Sequence, residues 1–199
     1  MSTFPSFRPV IIDPGQFHIR PLSGARDRMK RISLLMFLLA LAPVCARSQA
    51  GMFRDSLLDR MTGGWVLQGT IAGGTTTHDV DVAWVLEHRY LQIHEVSREK
   101  DSTGAALYEA LVYIGWDATR RQYSCLWLDV TGSGGISPQL VAFARPERDR
   151  MAFLFKGEAG SLFHTTFVYD RRGDRWQWLM DDDRKGKLTP FARVTLARR

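Results

Sequence analysis

The sequence contains little cysteine: Cys45 and Cys125 are the only two in 199 residues. Only Cys125 follows residue 50, so the chain beyond that point has no partner for an internal disulfide. Its stability must therefore come from a packed core. Cys125 lies within the apolar run YSCLWLDV, which predicts a buried thiol that behaves as a small hydrophobic residue.

The apolar run at residues 32–42 is too short to cross a membrane as a helix. It has about 11 residues, whereas a spanning helix needs about 20. Lys30 and Arg31 precede it, and small residues around Ala50 follow it. This layout predicts a secretory signal peptide over 29–50. We therefore expect a periplasmic or secreted bacterial protein with no stable membrane anchor after cleavage.

Residues 1–28 show no clear periodicity and hold four of the eight prolines. A signal peptide normally begins near the N-terminus, so this segment needs an explanation. Two interpretations are open. Either translation starts at Met29, or the segment is a disordered leader. Neither adds a domain to the one predicted for residues 51–199, whose length suits a single core.

The chain has no excess of positive charge once the first 50 residues are set aside. The whole sequence has 27 Lys and Arg against 21 Asp and Glu, with a pI of about 9.7. Residues 51–199 have 20 against 19. No basic face is left to neutralise phosphates, so a nucleic-acid partner is not expected.

Motifs for catalysis, cofactors and metals are absent from the sequence. There is no Gly-x-Ser-x-Gly and no histidine pair at metal-ligand spacing. TGSGG lacks the lysine and the helix of a phosphate loop. The acidic run at 181–183 leads directly into basic residues, which favours a charged hairpin turn over a calcium loop. No catalytic residue, cofactor or metal site is predicted.

A two-residue alternation of apolar and polar side chains begins at Gly63. VDVAWVL and ALYEALVYIGW are typical runs, and about ten such runs are separated by turns rich in Gly, Asp and Arg. Before them, residues 52–61 show helical spacing. This predicts an all-β fold, an antiparallel up-and-down barrel of about ten strands with a short N-terminal helix.

The tryptophans are the most informative residues. All six follow residue 50, and in a barrel they either fill the interior or line a cavity. The sequence leaves both arrangements open. Trp65 directly follows Gly63 and Gly64, which predicts a plug over one end of the interior, with the glycines allowing a sharp turn. Gly69, in mid-strand, is expected to allow a bend.

Three motifs carry a resemblance to a known family. They are Trp84-x-Leu86 before Arg89-Tyr90-Leu91, the turn Gly115-Trp116-Asp117, and Trp127-x-Asp129. In this order they resemble the bacterial domain of unknown function 1579, over about residues 56–199, and LLDRMTGGWVLQGTIAGG looks like the calycin Gly-x-Trp opening.

The resemblance implies a lipocalin-like (calycin) barrel with no established activity. Nitrobindin-type relatives bind haem through a histidine near the chain end. No histidine follows His164 here, which weakens the interpretation of this chain as a haem-binding protein.

The main functional hypothesis is a barrel that binds a small hydrophobic ligand. We expect Trp65, Trp84, Tyr113 and Trp127 to supply its wall and Arg89 to offer a charge to an acidic group of the ligand. Two alternatives remain open. One is an enzyme at the barrel mouth that uses Asp129 or a histidine. The other is a solid-core interaction module that binds no ligand.

Overall fold

The computed structural model describes residues 53–132, 134–157 and 160–199. The predictions for residues 1–28 and 29–50 lie outside these ranges. Within them, the elements are α1 (Ser56–Met61), β1 (Gly63–Ile71), β2 (Gly74–Val85), β3 (Tyr90–Ser97), β4 (Glu109–Asp117), β5 (Gln122–Asp129), a 3-10 turn (Pro138–Leu140), β6 (Val141–Ala144), β7 (Arg150–Lys156), β8 (Leu162–Asp170), β9 (Arg175–Arg184) and β10 (Lys187–Arg198).

The ten strands form a closed antiparallel barrel. Each strand pairs with the next along the chain, and β1 pairs with β10 from Trp65↔Arg198 to Ile71↔Ala192. The prediction of an all-β, ten-stranded up-and-down barrel with a short N-terminal helix is confirmed. Closure leaves no open sheet edge. The pairing is thinnest between β6 and β7, whose register contains the single pair Phe143↔Leu154.

Alternating side chains fill the barrel because successive residues of a strand point to opposite faces. In β3, Leu91, Ile93 and Glu95 are buried, and the residues between them are partly exposed. The largest fully buried side chains include Trp65, Trp176, Trp178, Tyr123, Phe153 and Phe167.

The helix α1 closes one end of the barrel. Asp55 caps it by accepting hydrogen bonds from the N–H groups of Leu57 (2.8 Å) and Leu58 (3.1 Å). Leu58 and Met61 are fully buried. The indole N–H of Trp65 donates to the Met61 carbonyl at 2.7 Å. Helix and first strand are thus joined over the base of the interior, as predicted for Trp65.

Two predicted boundaries differ from the structure. α1 begins at Ser56 rather than at residue 52, since the Asp55 cap fixes its start. The acidic run Asp181–Asp183 was predicted as a turn, but it belongs to β9, where each residue pairs with β10. The turn lies at Lys185 and Gly186, both with positive φ. Pairing on both sides keeps the acidic run extended, which charge pattern alone does not indicate.

Among the described residues, no helix has the length and apolar character needed to cross a membrane.

Candidate ligand cavity

The end of the barrel opposite α1 contains a cavity of about 760 Å³. Its walls come from the ends of odd-numbered strands, the starts of even-numbered strands and the loops that join them. Most of the lining surface is apolar, and the side chains that supply it include Ile71, Trp127, Leu140, Phe155, Phe163 and Phe191. The interior is therefore filled near α1 and hollow at the other end, so both arrangements left open for the aromatics occur in one barrel.

A buried histidine–carboxylate pair lies in the wall of this cavity. His78 of β2 is 3% exposed, and Glu95 of β3 is 1% exposed. His78 Nδ1 and Glu95 Oε1 are hydrogen-bonded to each other. The other carboxylate oxygen, Glu95 Oε2, is buried and has no hydrogen-bond partner among the described residues. An unpaired buried carboxylate oxygen is costly in a fold, so it needs a reason.

The hydrogen bonds continue from His78 to the rim of the cavity. His78 Nε2 lies 2.8 Å from Thr76 Oγ1, and the Thr76 hydroxyl donates to Glu99 Oε2 at 3.0 Å. Glu99 Oε1 also accepts the N–H of Thr77 at 3.1 Å. The pKa of Glu99 is lowered, first by a hydrogen bond from its own backbone N–H and then by those from Thr77 and Thr76. Glu99 is therefore ionised at neutral pH.

This chain of contacts assigns the protons of His78. Thr76 has one hydroxyl hydrogen, and Glu99 accepts it. The Thr76 oxygen must then accept from His78, so Nε2 of His78 carries a proton. A second proton lies between Nδ1 and Glu95 Oε1. Wherever that proton resides, the His78–Glu95 pair has no net charge.

Tyr108 and Asp129 lie on the same side of the cavity. The Tyr108 ring stacks on His78 with 5.7 Å between ring centroids. Its hydroxyl accepts the Trp127 indole N–H at 3.3 Å and lies 3.5 Å from Asp129 Oδ2. The pKa of Tyr108 is raised, chiefly by burial and then by the negative charges of Glu95 and Asp129. The phenol is therefore neutral and has carboxylates on two sides.

The structure brings two of the six predicted site residues to the cavity, Trp127 and Asp129. Trp65 is buried beneath α1. Trp84 is at the same end, where its indole N–H donates to Asp59 of α1 at 2.9 Å. Arg89 is exposed in the turn between β2 and β3. Tyr113 alternates with the buried Val112 and Ile114, so its side chain faces outward. None of these four lines the cavity.

The sequence did not predict the other polar cavity residues described above, which are Thr76, His78, Glu95, Glu99 and Tyr108. A signal was available for His78 and Glu95. His78 shares the parity of the buried Val80 and Val82, and Glu95 shares that of Leu91 and Ile93. A polar residue on an apolar parity marks a position inside the barrel.

The other histidines of the described chain lie outside the cavity. His94 contacts Glu109 at 2.8 Å, with 38% and 51% of the two side chains exposed. His164 contacts Asp183 at 3.4 Å. His88 stacks on Trp84 near α1. Among the described residues, no cluster of three or more His, Cys, Asp or Glu has metal-site geometry.

Comparison with known proteins adds no family assignment. No family model matches this chain, and no curated protein matches it significantly.

Proposed function

We propose that this chain is an exported, lipocalin-like barrel that binds a small, mostly apolar molecule in the cavity opposite α1. The carrying observation is the hollow half of the barrel, about 760 Å³ in volume and lined mainly by apolar surface. Small-molecule sites span about 300–1,000 Å³ and combine an apolar wall with a few polar groups. The proposal of export rests on the signal-peptide pattern of residues 29–50.

The barrel interior is packed near α1 and hollow at the other end, and this division supports ligand binding. Near α1, Trp65 and Trp176 are fully buried, and this half of the interior supplies stability. At the other end, Trp127 packs against Trp178 with ring centroids 5.3 Å apart and lines the cavity from there. A solid-core module would need no such division. An apolar guest would replace water against these rings, which is favourable at about 25 cal/mol per Å².

A titration with a neutral fluorescent dye tests the proposal. Nile red is suitable because it carries no charge that would bias it toward or away from the carboxylates of the cavity. We expect saturable binding of one dye per chain with a blue-shifted emission. No binding by the dye and no co-purified small molecule in native mass spectrometry would contradict the proposal.

Indole N–H resonances in an NMR spectrum then locate the bound dye. The six tryptophans give six such signals, and Trp127→Phe and Trp84→Phe assign two of them. We expect the Trp127 signal to shift on binding and the Trp84 signal to stay in place. The reverse pattern would put the ligand at the α1 end and contradict the proposed site.

A second candidate is an acid–base enzyme at the barrel mouth, and the His78–Glu95 pair favours it. A histidine held by a buried carboxylate is a common arrangement in acid–base catalysis, and with a proton on Nε2 His78 would act as the acid. Thr76 is not positioned as its nucleophile, since its hydroxyl hydrogen goes to Glu99. Turnover of a broad panel of esters, lost in His78→Gln with folding intact, would support this candidate. An inert protein on that panel would count against it.

A further inference from the structure

The charged side chains that line the cavity are almost all of one sign. Glu95, Glu99 and Asp129 contribute carboxylates, and His78 is the one basic side chain among the described lining residues. No described lysine or arginine lines the cavity. Because His78 shares its charge with Glu95, Glu99 and Asp129 leave the site with a net negative charge.

Among the charged side chains of the site, the hydrogen-bonding capacity left over consists of acceptors. Glu99 uses both oxygens, on Thr76 and on the N–H of Thr77. Asp129 Oδ1 accepts from the N–H and hydroxyl of Thr131 at 2.8 and 2.6 Å. Asp129 Oδ2 has only the long contact to Tyr108 at 3.5 Å. Glu95 Oε2 has no partner at all among the described residues. A ligand group that completes these carboxylates must therefore donate hydrogen bonds.

The buried carboxylate of Glu95 is the observation that separates this site from a merely acidic surface. Glu95 is 1% exposed and lies in the wall of an apolar cavity. A buried ion needs an opposite charge and several donors, and one shared proton from His78 meets only half of that need. Burial is the main cause of the raised pKa of Tyr108, and the negative charges of Glu95 and Asp129 raise it further.

We propose that the ligand of this cavity is an apolar amine, whose ammonium group is held at the Asp129 carboxylate beside the buried Glu95 carboxylate while its hydrocarbon part lies against the aromatic wall. This inference rests on the proposed binding function and names the chemical class of its ligand. It excludes fatty acids and other apolar anions, whose head group would meet carboxylates and no free cation. It also replaces the expected role of Arg89, which lies in an exposed turn beside α1.

A matched series of probes tests the head group alone. Decylamine, decanol and decanoate share one chain and differ in charge. Each is used to displace Nile red from the purified protein at neutral pH. We expect decylamine to displace the dye at a concentration lower than decanoate by at least about tenfold, since the ammonium group meets opposite charge at the carboxylates and decanoate meets like charge. Decanol should fall between them.

Each outcome of this series bears on one proposal. Absence of Nile red binding overturns the proposed function and this inference with it. Dye binding that decanoate displaces as well as decylamine, or that no member of the series displaces, overturns the inference and leaves the binding barrel standing.

Two variants identify the carboxylates involved. Glu95→Gln should reduce the preference for decylamine over decanol to about threefold or less, since an amide replaces the carboxylate beside the ammonium group. Asp129→Asn should reduce the same preference in part. It also serves as the second test if the Glu95 variant fails to fold, which loss of Nile red binding would reveal. Glu109→Gln is the matched control, because Glu109 also pairs with a histidine but on the outer face. An unchanged preference in both cavity variants would overturn the inference.

Discussion

The barrel contains two histidine–glutamate pairs that differ chiefly in burial, and this gives a sharp prediction about stability. Inside the barrel, His78 and Glu95 have 4% and 2% of their side chains exposed. Outside it, His94 and Glu109 have 38% and 51% exposed. Both pairs join neighbouring strands. The perturbation is the same at each site: the histidine is replaced by leucine, which leaves the glutamate without its partner.

The expected costs follow from burial. Removing one partner of a buried ion pair costs about 3–5 kcal/mol, because the remaining charge is left in the interior. Glu95 would then have neither oxygen paired, since Oε2 already lacks a partner. Breaking an exposed pair costs about 0–1 kcal/mol. We therefore expect His78→Leu to lower the free energy of unfolding by about 3–5 kcal/mol and His94→Leu by less than about 1 kcal/mol.

Urea unfolding followed by circular dichroism measures both values, and the slope with urea shows whether the unfolding stays two-state. A shift of the melting temperature by about 2–4 °C per kcal/mol gives an independent check for a domain of this size. The double variant His78→Leu, Glu95→Leu should recover most of the loss, since apolar side chains often replace a buried pair at little cost. Equal costs for His78→Leu and His94→Leu, or no recovery in the double variant, would refute this reasoning.

Three further predictions follow from single positions. Burial raises the pKa of Cys125, so a thiol reagent should react with Cys125 only after denaturation. Reaction of Cys125 in the folded protein as fast as an exposed thiol would contradict this prediction. Gly73→Ala should lower the free energy of unfolding by about 1–2 kcal/mol, because Gly73 has a left-handed backbone. Gly69→Ala should lower it clearly more, because an added Cβ would overlap Arg193 O and lie 2.7 Å from Val194 Cα. Equal melting temperatures for the two variants would refute this prediction. A hydrogen bond from Arg171 lowers the pKa of Asp149. The stabilisation that this carboxylate gives the fold is therefore present above a pH of about 4 and is lost as the pH falls through the lowered pKa. The unfolding midpoints of Asp149→Asn and of the unchanged chain should converge at low pH.

The fold was readable from the sequence because it depends on a pattern that every strand repeats. The alternation in β3 and β4 places one set of side chains inside, and the short turns leave room only for neighbouring strands to pair. The cavity could not be predicted from the sequence in the same way. Its volume depends on how far inward each side chain reaches and on the loops, such as residues 98–108 between β3 and β4, whose conformation has no periodicity.

The position of each site residue along the barrel axis could have been derived, and it explains which predictions missed the cavity. α1 leads directly into β1, so odd-numbered strands run from the α1 end to the mouth and even-numbered strands run back. A residue late in an odd strand or early in an even strand therefore lies at the mouth.

Trp127 and Asp129 end β5, Glu95 is late in β3 and His78 is early in β2, and all four line the cavity. Trp65 begins β1 and Trp84 ends β2, which places both at the closed end. Parity decides whether a side chain faces the interior, and strand direction decides at which end it does so. The hydrophobic pattern alone supplies only the first of these. His78, Glu95 and Asp129 satisfy both conditions, so these ionisable side chains gather where the barrel is hollow. Glu109 is early in β4 but of the opposite parity, and it therefore forms the outer pair with His94.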